Sequence, residues 1–170
     1  DFTGPSQLSK SQLIDQATQL SDQLIKIEKT LGVRLPLYTL LTKCDVIGGF
    51  QGFVRSIPEE RLKEAFGWSN SYATNLAFNP GWITEAFHSI YAALFEGSLR
   101  IFGNEKTDNP DHNDIVVFPE SFARLEKPVQ TYLNILFKVG DYDNHFIFRG
   151  LFLTGAGEKD ASLKIISHPF

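Results

Sequence analysis

Between residues 9 and 31 apolar side chains return every three or four positions: Leu13, Ala17, Leu20, Leu24, Ile27 and Leu31. That period places them on one face of a helix. Ser9 or Ser11 can cap its start, and Gly32 suits a left-handed stop. Lys26 and Lys29 sit toward the negative end of its dipole. After a turn at 32–36, residues 37–42 are apolar on both faces instead of alternating. That pattern predicts a strand buried within a parallel sheet.

Ser56-Ile57-Pro58-Glu59 reads as a capping box with proline in the first turn, predicting a short helix that ends at Gly67. Residues 68–78 read as loop. Asn79-Pro80 opens the next helix, striped by Ile83, Phe87, Ile90 and Leu94 and stopped at Gly103. The polar run "NEKTDNPDHND", 104–114, predicts a surface loop. "IVVF" after it reads as a short strand or an extended lead-in. Pro119 then opens a helix bearing Phe122, Leu125, Val129, Leu133, Leu136 and Phe137, with Pro128 placed to kink it. Residues 140–145 read as loop. A second strand occupies 146–157, and the tail "LKIISHPF" reads as a final short strand. Helices on either side of the first strand predict an α/β fold: a small parallel sheet, strands near 37–42 and 147–153, with long helices around it.

Composition narrows the class. A chain of 170 residues suffices for one domain with one core, and its 15 phenylalanines supply that core well. The net charge of −4 and the absence of a basic stripe argue against nucleic-acid binding. One cysteine, Cys44, excludes an internal disulfide framework and fits a reducing compartment. Apolar runs such as 90–95 and 146–153 fall far short of the roughly 20 residues a bilayer span needs. No signal peptide opens the chain, which begins at Asp1 and lacks methionine, so an interior piece of a longer protein is expected.

The chemistry gathers where the first strand ends. Thr42-Lys43-Cys44-Asp45 has the form Asn/Thr-Lys-x-Asp, which recurs after a hydrophobic strand in GTP-binding domains. In an open parallel sheet, ligands bind beyond the carboxyl ends of the strands. An aspartate there can accept from both the N1–H and N2–H₂ donors of guanine, a pair that adenine lacks. The lysine stem can lie along the base. Equally, both side chains can simply be solvated at a strand terminus. Thr154-Gly155-Ala156-Gly157 holds the same place after the second strand, either as a plain tight turn or as one that offers backbone N–H groups to the guanine oxygen.

Phosphate chemistry is missing from this stretch. It holds no G-x-x-x-x-G-K-[ST], and "GGFQGF", 48–53, lacks the needed lysine and hydroxyl. These 170 residues therefore cannot transfer a phosphoryl group alone. The four histidines are scattered, and "DNPDHND" lacks the glycine and closing glutamate of a calcium loop. Cys44 reads as a small buried residue and not a nucleophile. Trp68 and Trp82 read as core or interface anchors.

Three stretches together resemble the IcmF/TssM proteins of bacterial secretion systems: "GVRLPLYTLLTKCDVIGGF" (32–50), "FPESFARLEKPVQTYLNILF" (118–137) and "FRGLFLTGAG" (148–157). Their order and spacing agree as well, with about a hundred residues between the Thr-Lys-Cys-Asp strand end and the Arg-Gly strand. The resemblance implies that residues 1–170 are a single domain, the C-terminal part of a GTPase-like domain on the cytoplasmic face of the bacterial inner membrane. It implies a type VI or Dot/Icm type IV apparatus, with a DotU/TssL-like partner. By position, Thr42, Lys43 and Asp45 match the family's base-recognition motif, and the 154–156 turn (Thr154, Gly155, Ala156) faces it. Arg149 and Gly150 match its Arg-Gly, for which a structural role is expected. Leu-Thr-Gly-Ala-Gly stands where many relatives have Phe-Thr-Ser-Gly.

Two functions follow from the resemblance. One is a structural and interaction module with a degenerate or split nucleotide-binding fold and no cofactor of its own. The other is a GTP-hydrolysing switch, with magnesium, whose phosphate loop lies upstream. An unrelated α/β enzyme would need a reaction-bearing constellation, and the residues supply none.

Overall fold

The computed structural model describes residues 9–61, 64–104, 111–137 and 146–156. Helix α1, Lys10–Leu31, starts at Ser9, whose hydroxyl accepts from the Gln12 N–H while the Gln12 side chain accepts from the Ser9 N–H. This reciprocal cap satisfies two N-terminal donors at once. Gly32 ends the helix in the left-handed conformation, φ 67°. The buried face departs from the predicted stripe at its far end. Leu13, Ala17, Ser21 and Glu28 are buried, whereas Ile27 and Leu31 are exposed. Glu28 is drawn inward because its carboxylate accepts from the Leu35 N–H at 3.2 Å, tying the end of α1 to the approach to the first strand.

Strand β1, Pro36–Leu41, pairs in parallel with β3, Ile147–Leu153, as the two hydrophobic runs predict. A third strand, β2, Gly67–Ser69, joins antiparallel on the far side of β3. The order is β1-β3-β2, so the small sheet is mixed. Residues 68–78 were expected as loop, but Trp68 and Ser69 belong to this strand. Its Gly67 lies hard against the Leu151 carbonyl, a spacing that any Cβ would prevent.

The position of β1 corrects another expectation. Among the described residues it is an edge strand, with Tyr38 53% and Leu40 40% exposed on one face and Leu41 buried. Local apolarity predicted burial on both sides, but the described residues cover only one. The core lies on the face of Phe148, Leu151 and Leu153, where Phe148 packs on Trp68, Phe78 and Phe137. Trp68 and Trp82 are both buried core anchors. A bulge lies between Leu37 and Tyr38, so Arg149 has no partner in the β1 register. The Arg149 guanidinium reaches the Tyr72 carbonyl, and its own carbonyl accepts from the Asn70 N–H at 2.9 Å. The Arg-Gly pair thus holds the segment after β2.

The expected helix from 56 to 67 is displaced. A short helix α2, Phe50–Arg55, precedes it, and Ser56 lies at the C-terminal end of α2, where its hydroxyl donates to the Gly52 carbonyl. Residues 57–60 are bend and turn, and 62–63 lie outside the described residues. The glycines of "GGFQG" explain α2. Gly49 is left-handed, φ 85°, and lies against the Asp114 carbonyl and the Phe118 backbone, so α2 abuts the fourth helix with no room for side chains.

Helix α3, Gly81–Asn104, begins as Asn79-Pro80 predicts, with the Asn79 side chain accepting from the Gly81 N–H at 2.8 Å. Its stripe of Ile83, Phe87, Ile90 and Leu94 is buried. Gly103 lies within its last turn and does not stop it. Helix α4, His112–Ala123, replaces both the end of the predicted 104–114 loop and the predicted "IVVF" strand. Ile115, Phe118 and Phe122 bury at helical spacing against α3. Pro119 lies inside α4 instead of opening it, and the chain breaks at 124–125 before helix α5, Glu126–Phe137. Pro128 falls in the first turn of α5, where a missing N–H costs nothing. The predicted loop at 140–145 and the tail strand lie outside the described residues.

Candidate functional site at the carboxyl end of the sheet

Because β1 and β3 run in parallel, the chain leaves both at the same rim. Leucine 41 closes β1 by accepting from the Thr154 N–H at 2.9 Å, and the Cys44 N–H donates to the Thr154 carbonyl at 3.0 Å. Reaching that geometry requires a sharp turn at Lys43, which adopts φ 58°. It is the one left-handed non-glycine among the described residues. Such a conformation is sparsely populated and is held by its surroundings. Lys43 leads into a single 3₁₀ turn, Cys44–Val46, that sends Cys44 into the core and Asp45 to the rim.

Asp45 is half-buried, and its Oδ1 accepts from the Ala156 N–H at 3.1 Å. The side-chain amide of Gln51, at the start of α2, donates to the Ala156 carbonyl at 2.9 Å. Gly155 permits this closeness. A Cβ there would lie 2.8 Å from the Asp45 nitrogen and 2.8 Å from the Phe50 ring.

The six residues singled out by sequence therefore separate into two groups. Asp45 meets Gly155 and Ala156 directly at one rim, and Thr154 stands beside them, bonded to Leu41 and Cys44. Thr42 and Lys43 flank the rim with exposed side chains. Gln51 was missed, since its contact spans 105 positions and nothing local announces it. Cys44 is buried, and its thiol donates to the Leu41 carbonyl at 3.1 Å. Burial pushes the thiol up to about 11, with the Asp45 charge adding to the shift and a backbone hydrogen bond from Thr154 opposing it.

A guanine edge gripped by an aspartate takes both carboxylate oxygens, and its carbonyl takes free backbone N–H groups from the facing turn. Here Oδ1 is engaged, the Thr154 N–H is spent on Leu41, and the Ala156 N–H is spent on Asp45. Of the three N–H groups in the turn, only that of Gly155 lacks a partner among the described residues. Among the described residues no three His, Cys, Asp or Glu side chains converge on a metal-sized site.

The model of the IcmF-related N-terminal domain matches residues 6–169, nearly the whole chain. The chain belongs to the IcmF-related family. It is also 27% identical over 150 residues to the type VI secretion system component TssM1 of Pseudomonas aeruginosa. That alignment covers 86% of this chain and 13% of TssM1, so the chain spans about an eighth of that relative's length. No solved structure matches it. No helix among the described residues is long and apolar enough to cross a membrane.

Proposed function

We propose that this chain is a structural and interaction module of a bacterial secretion-system complex, built as the C-terminal part of a GTPase-like domain and working as a scaffold, not a switch. Membership of the IcmF-related family and likeness to a type VI component support the setting. The observation that carries the reading is the outer edge of β1, which no strand among the described residues covers. Its six residues hold no charged side chain, and Tyr38 and Leu40 stand exposed on the outer face. Natural edge strands that face water are short, charged or covered. This one is dressed for a neighbour, the remainder of the GTPase-like sheet. The assembled domain acts at the cytoplasmic face of the inner membrane and presents its helical surface to a DotU/TssL-like partner.

The intact protein should co-purify with its DotU/TssL-like partner equally well in nucleotide-free buffer and in excess GTP. Fluorescent GTP titrated into it should show no micromolar binding. Micromolar affinity that disappears in Asp45→Ala, together with nucleotide-dependent co-purification, would replace the scaffold with a GTP switch.

A further inference from the structure

The residues that match a base-recognition motif by position are engaged with each other. The Ala156 peptide unit is held from both sides. Asp45 Oδ1 takes its N–H at 3.1 Å, and Gln51 Nε2 donates to its carbonyl at 2.9 Å. Asp45 comes from the turn after β1, Gln51 from α2 and Ala156 from the exit of β3, so one peptide gathers three separate elements. The bond to Asp45 is charge-assisted, the stronger class of hydrogen bond. The Gln51 Oε1 is buried with no partner among the described residues, so the Nε2 bond is what fixes that side chain. The Gly155 backbone rests on the Asp45 nitrogen and the Phe50 ring, where no larger residue fits.

We infer that Asp45 and Gln51 form an intramolecular clasp on the Ala156 peptide, closing the sheet rim from within against a nucleobase. A base edge reaching Asp45 must share Oδ1, which can accept a second hydrogen bond, with the Ala156 N–H, while an oxygen of the base meets a turn whose N–H groups are mostly spent on Leu41 and Asp45. Asp45 is then a positioning residue that holds the exit of β3 beside β1 and α2. The inference deepens the scaffold reading, because it gives a chain with a nucleotide-fold outline a reason not to read nucleotide.

Hydrogen-exchange mass spectrometry on the intact protein tests it. Three variants separate the roles: Asp45→Ala removes the acceptor, Asp45→Asn keeps an oxygen in its place, and Gln51→Ala releases the carbonyl. Losing one such bond should raise local exchange at 154–156 about three- to tenfold. Asp45→Ala and Gln51→Ala should each show this rise, Asp45→Asn should stay within about twofold of the parent, and exchange in α3 should not change. Unchanged exchange at 154–156 in both Asp45→Ala and Gln51→Ala overturns the clasp. A global loss of protection in Asp45→Ala leaves the milder Gln51→Ala and Asp45→Asn to decide, by the same criteria. Exchange reads the clasp and GTP titration reads the scaffold. Unchanged exchange without GTP binding would sink only the clasp; GTP binding beside the expected exchange pattern would leave the contacts to Ala156 standing but sink both the closure against a nucleobase and the scaffold.

Discussion

Cys44 shows how one backbone torsion assigns chemistry. The left-handed turn at Lys43 points the thiol into the core and the next side chain, Asp45, to the rim. Burial leaves the thiol donating to a carbonyl and un-ionised at neutral pH. Since the thiolate is the nucleophile, and titration is centred on about 11, alkylation of the native protein should stay slow from pH 7 to 9. Iodoacetamide labelling followed by mass spectrometry checks this: rapid labelling is expected only in denaturant, and stoichiometric labelling of the native protein at pH 7 would contradict the assignment. The sequence led to an inert buried thiol only from the usual behaviour of a free cysteine as a small buried residue. It carried no sign that Lys43 would be left-handed, since lysine has no intrinsic preference for that region.

Helix α4 is the element most at odds with its local pattern, and α3 supplies the reason it forms. Pro119 has no N–H, so the Ile115 carbonyl loses its helical partner. The Ser98 hydroxyl, buried in α3, lies 2.9 Å from that carbonyl and 3.1 Å from the Leu94 carbonyl of its own helix. A neighbouring helix thus satisfies the acceptor that proline orphans. Ser98→Ala should destabilise the protein by about 1–3 kcal/mol, the usual cost of leaving a buried polar group unpaired. In a Pro119→Ala background an N–H returns to Ile115 and the cost of Ser98→Ala should shrink. Denaturant unfolding of the two single variants and the double variant reads the coupling directly, and additive losses would show that the two residues act independently. From the sequence, "IVVF" followed by proline favours an extended segment, because β-branched residues prefer strands. The helical spacing of Ile115, Phe118 and Phe122 was present in the same residues. It prevails because burying those side chains against α3 outweighs the local preference.

For the molecule as a whole, the unresolved balance is at the open side of the sheet. Tyr38 and Leu40 belong to a strand that reads as interior, yet among the described residues it forms the border. Substitutions at water-facing positions usually change stability by no more than about 0.5 kcal/mol. If this face meets the rest of a larger domain, Tyr38→Lys and Leu40→Lys should each lower the thermal midpoint of the intact protein by several degrees. Ile14→Lys, on an exposed part of α1, serves as the reference and should leave it in place. Equal midpoints for all three would mean that the β1 face remains in water.

Much of the architecture was legible in local chemistry. A capping serine, a left-handed glycine, an Asn-Pro start and two β-rich runs are decided within a few residues, so α1, the start of α3 and the parallel pair β1 and β3 follow from the sequence directly. The family resemblance rested on the two strands with the turns that follow them and on residues 118–137. Tertiary structure alone decided which face of β1 is covered, that Glu28 turns inward while Ile27 does not, and that β2 pairs with β3. It also decided that α4 accommodates a proline and that Gln51 meets Ala156. Each of these depends on a partner distant in the chain, and the free energy of burying a side chain or satisfying a polar group is set by that partner and not by neighbouring residues.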